Sequence, residues 1–233
     1  IILIEGEPGS GKSVALRHVA LNMAKRAGKV QSTKSKIPIY VNLKRLERQD
    51  TEEINADLIS SFIKMTLTRG NNRDVEKFLD DEFDRGLQEG TFFFLFDSFD
   101  ELPEILSSTE VDNKIKAYGE AIDKFIFGMT RCRCVIASRL YRGPNRFDWP
   151  HFEVMPLSVT RQQKLIRRSN LKINQQHEII GYLGNASQIM RSIATNPFYL
   201  TLICEYMDSK NQFPENMHIV FEAYIDKRFT RDK

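Results

Sequence analysis

Eight residues near the start of the chain have the types and spacing to hold a polyphosphate. They are Gly6-Glu7-Pro8-Gly9-Ser10-Gly11-Lys12-Ser13, which fit the P-loop pattern G-x-x-x-x-G-K-[ST]. Glycine lets the backbone turn tightly around an anion, and the amides of Gly9, Gly11, Lys12 and Ser13 can converge on phosphate oxygens. The Lys12 ammonium is placed to reach the β- and γ-phosphates, and the Ser13 hydroxyl to hold Mg²⁺. With Val14, the next residue, these eight form the candidate nucleotide-binding set.

Such a loop needs an acidic partner for the cation at the end of a neighbouring strand. The apolar run Phe92-Phe93-Phe94-Leu95-Phe96 ends in Asp97, as in a Walker B motif, so Asp97 is the candidate second Mg²⁺ residue. Asp100 and Glu101 follow closely. Three carboxylates within five residues repel one another unless a cation or water compensates, which fits Mg²⁺ and an activated water. Either Asp100 or Glu101 is the candidate to orient or deprotonate that water, and spacing does not choose between them. Arg139 directly follows the next apolar run, Cys134–Ser138. A cation there can sense a γ-phosphate.

These residues need a scaffold. Ile1–Ile4 reads as a buried strand, and Val14–Ala27, free of Gly and Pro, as a helix, so the phosphate loop lies between strand and helix. The positive end of that helix's dipole then points at the phosphates. Gly28–Lys36 reads as a basic polar loop and Pro38–Leu43 as a second strand. Apolar residues at helical spacing predict helices over 51–68, 74–87 and 111–126, with Gly90 stopping the second. The continuous run before Asp97 suits a parallel strand buried on both faces. Cys134–Ser138 is a fourth strand and Phe152–Leu157 a fifth. Strands alternating with helices predict a doubly wound, mainly parallel α/β sheet. From about Ser158 the pattern is helical throughout: 160–168, 174–183, 186–194, 197–207 and 215–229. Asn196 suits a helix N-cap and Pro197 a first helical residue.

Composition sets bounds. The 233 residues suit one large domain or one plus a small partner, and a net charge of +3 makes no case for nucleic acid or membrane. The basic stretch Arg161–Lys172 reads as the solvated face of a helix. Three cysteines, an odd number, argue against a disulfide framework and fit a reducing compartment. Cys132 and Cys134 have spacing for neither zinc nor a redox pair and read as core or strand-edge residues. The four histidines are scattered, so a metal site built on them is not expected. No apolar stretch approaches the ~20 residues of a transmembrane helix. The first residue already lies in a core strand, so the chain reads as a piece of a longer protein.

Taken together, the motifs resemble the NACHT class of STAND nucleoside triphosphatases. The segment from Gly6 to Ser13 is similar to the family's Walker A. Phe92–Leu102 resembles its Walker B, with a small residue, Ser98, after the Mg²⁺ aspartate and the acid two further on, Asp100, followed by Glu101. Val135–Arg139 matches the sensor strand, with Arg139 as the sensor arginine. Ile37–Leu43 resembles the family's second strand. Asn196–Cys204 is similar to the helical-domain motif whose proline packs on the adenine, here Pro197. Phe221–Asp232 looks like the entry to a winged-helix domain.

The resemblance implies three regions: a nucleotide-binding α/β domain over 1–158, a helical lid over 159–214, and the start of a winged-helix domain over 215–233. It implies a cytoplasmic molecular switch that binds ATP or ADP with Mg²⁺ between the α/β domain and the lid; ATP, dATP and GTP stay open as the base preference. ADP favours a closed monomer. Exchange for ATP permits self-association through the full-length protein, and slow hydrolysis resets the switch in intracellular signalling or immune defence. Sensor and effector domains lie outside this segment, with no membrane contact and no nucleic acid expected through this domain. The alternative is an AAA-type motor or remodelling ATPase acting on nucleic acid or protein. A P-loop kinase is disfavoured, because acceptor-pocket and lid arginines cannot be placed.

Overall fold

A computed structural model describes residues 1–29, 35–49, 51–70 and 72–231. Part of the basic loop expected at 28–36, and Asp232 of the expected winged-helix entry, lie outside those residues. The chain divides into two compact units: Ile1–Glu7 with Lys12–Val154, and Pro8–Gly11 with the chain from Met155 onward.

The first unit is a sheet with helices on both faces. Its strands are β1 (Ile2–Glu5), β2 (Ile37–Asn42), β3 (Phe92–Asp97), β4 (Arg133–Ser138) and β5 (His151–Glu153). Their order is β2-β3-β4-β1-β5, and every pairing is parallel. Its helices are α1 (Lys12–Lys29), α2 (Ala56–Thr68), α3 (Arg73–Asp81), α4 (Phe83–Glu89), α5 (Pro103–Ser107) and α6 (Val111–Asp123). Side chains alternate across each strand. On one face Ile2, Ile4, Tyr40, Phe93, Leu95, Val135 and Ala137 pack with Leu16 and Ala20 of α1. On the other, Leu3, Val41, Phe94, Phe96 and Ile136 meet Ile59, Phe62 and Ile63 of α2, Phe83 of α4 and Ile122 of α6. The phenylalanines of β3 are core, as their lack of alternation predicts. Phe94 stacks on Phe96 at 5.8 Å and Phe83 on Phe92 at 5.3 Å. Each such buried ring stabilises the fold by about 1.5–3 kcal/mol.

Several elements differ from expectation. The expected neighbour relation fails, because β4 lies between β1 and β3. The helix expected over 74–87 is two helices, broken at Glu82 (φ −126°). Leu79 of α3 and Phe83 of α4 both bury in the same core on either side of the break. The helix expected from Thr51 begins at Ala56, where the Asn55 side chain accepts from the Leu58 amide at 3.0 Å. The stripe through Ile126 finishes in a π-turn over Lys124–Gly128. The fifth strand is three residues long. Val154 makes the last bond, to the Glu5 carbonyl at 2.8 Å, and β5 ends there.

Beyond β5 the described chain is helical, as the periodicity predicts: α7 (Val159–Arg167), α8 (Ile173–Asn185), α9 (Gln188–Ile193), α10 (Pro197–Lys210) and α11 (Met217–Arg231). Ile166, Ile179, Leu183, Met190, Leu200 and Ile203 form this unit's core. A smaller cluster of Leu202, Tyr206 and Val220 joins α10 to α11. Cys132, Cys134 and Cys204 are buried free thiols. Burial pushes Cys134 up to about 12 and Cys204 up to about 11, which keeps both protonated and inert.

Candidate nucleotide and magnesium site

Parallel strands deliver their carboxyl ends to one edge of the sheet, where ligands of open α/β folds bind. Register places Glu5 opposite Ser138 and Asn42 opposite Asp97. The loop after β1, the turn after β3 and Arg139 after β4 therefore start from the same edge.

The loop has the backbone a tight turn requires, with Gly9 at φ +77° and Gly11 at φ +92°. A side chain on Gly9 would be strained there. It would also meet the second unit's own atoms, at 2.7 Å from Phe198 Cβ and 3.0 Å from Asn196 Oδ1. Asn196 donates to the Pro8 carbonyl at 2.9 Å and accepts the Phe198 amide at 3.0 Å. The Phe198 amide also reaches the Gly9 carbonyl at 3.3 Å. Pro197, first residue of α10 and half-buried, is held between these two contacts beside Pro8 and Gly9. Lys12 donates to the carbonyls of Gly6 at 2.7 Å and Glu7 at 3.0 Å. Burial lowers its pKa, against Asp100, which raises it, while Arg139 adds to the lowering. The side chains of Glu7 and Val14 stay on the surface, Val14 at 71% exposed.

Asp97 is buried. Its Oδ1 accepts the Ser13 hydroxyl at 2.9 Å, across 84 residues of sequence, and its Oδ2 accepts the Tyr40 hydroxyl. The two predicted magnesium residues are thus side by side although their strands are not. Hydroxyl and carboxylate oxygens are hard donors of the kind Mg²⁺ takes. No group of three or more His, Cys, Asp or Glu able to hold a metal occurs among the described residues. A two-oxygen protein contribution fits a cation that keeps its waters and shares phosphate oxygens.

The turn after Asp97 is unusual. Ser98 sits in the left-handed region at φ 60°, ψ 46°, and a 3₁₀ turn over Phe99–Glu101 follows. This geometry brings both remaining acids to Arg139. Asp100 Oδ1 accepts the Arg139 amide at 3.0 Å, and its Oδ2 lies 3.0 Å from Nε. Glu101 Oε1 accepts from Nη2 at 2.8 Å, while Lys44 reaches its Oε2 at 3.1 Å. Burial raises the Asp100 carboxyl, with Arg139 opposing. Burial also acts to raise Glu101, but hydrogen bonds from Lys44 and Arg139 outweigh it and hold that group low. The expected repulsion among the three acids is therefore relieved by the protein's own donors. Tyr40, Arg17 and Lys44 carry no motif, and sequence reading misses them. A tyrosine inside an apolar strand, aligned with a helix that carries Arg17, is the one signal, and it needs the register to be read.

An all-parallel sheet with helices on both faces, a glycine loop opening a helix, and a serine–aspartate pair at the strand ends define a P-loop nucleoside triphosphatase. The NACHT domain family matches residues 1–171, and the chain belongs to that family, the NACHT class of STAND nucleoside triphosphatases. Among solved structures it is similar to a Signal Transduction ATPase with Numerous Domains (STAND) protein with a tetratricopeptide repeat sensor from Pyrococcus horikoshii. Identity is 14% and the TM-score 0.45, covering 95% of this chain and 29% of that one. The chain thus spans less than a third of that protein's length. No curated protein matches the chain. Among the described residues, no helix is long and apolar enough to cross a membrane.

Proposed function

We propose that this chain is the nucleotide-controlled part of a signalling switch that binds ATP or ADP with Mg²⁺. The observation that carries the reading is the clamp on Arg139. A cation at the carboxyl end of β4 is shared between Asp100 and Glu101, the two acids that would serve a hydrolytic water. An arginine engaged this way has two alternatives, its acids or a γ-phosphate, and a group with two alternatives is what a switch requires.

In this reading the amides of Gly9, Gly11, Lys12 and Ser13 hold phosphate oxygens, and Lys12 exchanges the carbonyls of Gly6 and Glu7 for phosphate. Ser13 and Asp97 hold the cation. When bound, Mg²⁺ neutralises charge on the phosphates. Pro197 offers a rigid apolar surface to the base. Asp100 or Glu101 orients the water, and the burial of Asp100 favours it as proton acceptor. Hydrolysis is slow and regulatory. The nucleotide state controls self-association of the full-length protein in the cytoplasm, with sensor and effector domains elsewhere in that protein. Residues 215–233 begin its winged-helix domain.

The test is paired titration of ADP and a non-hydrolysable ATP analogue on parent and Arg139→Ala. ADP affinity should be kept. A charge-assisted contact of roughly 1.5–3 kcal/mol is lost for ATP, so the ATP-to-ADP preference should fall by about 10- to 150-fold. Equal losses for both nucleotides, or none for either, would remove Arg139 as reader of the third phosphate and the switch reading with it.

A further inference from the structure

The Asp97 carboxylate is held by more than Ser13. Tyr40 stands in β2, on the sheet face that α1 covers, and its ring belongs to that apolar layer. Register sets Tyr40 beside Leu95, two residues before Asp97. From there its hydroxyl reaches Asp97 Oδ2. On the other side, Arg17 of α1 donates Nε–H to the same hydroxyl at 3.0 Å, with its guanidinium 5.4 Å from the ring centroid.

This chain of bonds has a fixed direction. Arginine has donors only, so Tyr40 accepts from Arg17 and must spend its single proton on Asp97. Ser13 likewise spends its proton on Oδ1. A carboxylate offers about four lone-pair positions, and two are now taken, one on each oxygen. With one donor on each oxygen the rotation of the carboxylate is restrained, and lone pairs remain on both oxygens and on the Ser13 hydroxyl for a cation. We infer that Tyr40 is a positioning residue for the cation-binding carboxylate of Asp97, with Arg17 setting the direction of its hydroxyl. The inference rests on the magnesium role proposed for Asp97. Partners that orient a ligand in this way typically govern metal affinity 10- to 100-fold.

The test measures Mn²⁺ affinity in the presence of ADP by electron paramagnetic resonance, with ADP affinity in EDTA and melting temperature alongside. Tyr40→Phe keeps the ring in its apolar layer and removes only the oxygen. It should weaken Mn²⁺ by about 10-fold or more, with EDTA-state ADP affinity unchanged. Arg17→Met should give a smaller loss, and the double variant should lose no more than Tyr40→Phe, because Arg17 acts through the hydroxyl. A ring that only packs predicts parental Mn²⁺ affinity in Tyr40→Phe, and that result, with a clear loss in Asp97→Asn, would overturn the inference alone. Parental affinity in Asp97→Asn as well would overturn the magnesium role itself. Where Tyr40→Phe melts far below the parent, Arg17→Met decides: weaker Mn²⁺ binding supports the inference, and unchanged binding overturns it.

Discussion

Lys12 holds its ammonium against the carbonyls of Gly6 and Glu7, the loop it belongs to. Burial has already removed part of the hydration of a cation so held. Those carbonyls are weaker partners than phosphate oxygens, so the lysine should gain on transfer. Lys12→Ala should therefore abolish tight nucleotide binding, at a cost of about 3–5 kcal/mol, since the phosphates lose their buried counter-charge. Calorimetry reads this directly, and parental ATP affinity in the variant would reject the phosphate-loop role.

At the scale of elements, the turn between β3 and α5 decides how the acids face. Ser98 is one of two non-glycine residues with positive φ among the described residues, the other being Asn211. Two residues after this left-handed step Asp100 is buried and meets the backbone and side chain of Arg139. Strained backbone is found where a site requires it. A β-branched residue fits that region far worse than a small polar one. Ser98→Val should destabilise the fold by about 1–2 kcal/mol and loosen the Arg139 clamp, while Ser98→Gly should fold at least as well as the parent. Urea unfolding of the two variants measures the difference, and equal stabilities would show that the turn carries no such strain.

Across the first unit, one acid ties three segments. Glu104 of α5 accepts from Arg48 after β2, from Lys114 of α6 and from the Tyr118 hydroxyl at 3.2 Å. The hydrogen bond from Arg48 leads in pulling its pKa from 4.5 to about 2, with Lys114 adding to it against the opposing effect of burial. Because the folded-state value lies below the unfolded one, the stabilisation is fully present above about pH 5 and fades as pH falls towards 2. Glu104→Gln should lower stability at neutral pH by roughly 1–3 kcal/mol and flatten the acid limb of the stability curve between those limits. Melting temperatures from pH 2 to 7 test it, and parallel curves for parent and variant would remove Glu104 as the source of that limb.

The order of residues by itself determined the parallel α/β plan and the helical second half, and it marked the glycine loop, Asp97, the two acids and Arg139 as the candidate site. Each depends on local spacing or on the periodicity of burial, and both are printed along the chain. Even the cap at Asn196 and the start of α10 at Pro197 are local, since a side-chain oxygen two residues away is all they need. What only the tertiary structure decided is which distant groups meet. β4 lies between β1 and β3, so Ser13 and Asp97 are joined by the placement of α1 over the sheet and not by strand adjacency. The break between α3 and α4 at Glu82 and the end of β5 after its last ladder bond, from Val154 to Glu5, are likewise visible only in the folded chain. Tyr40, Arg17 and Lys44 enter the site because register and helix packing fix their reach to within a hydrogen bond. That length depends on the sum of all contacts in the core, and no window of neighbouring residues encodes it.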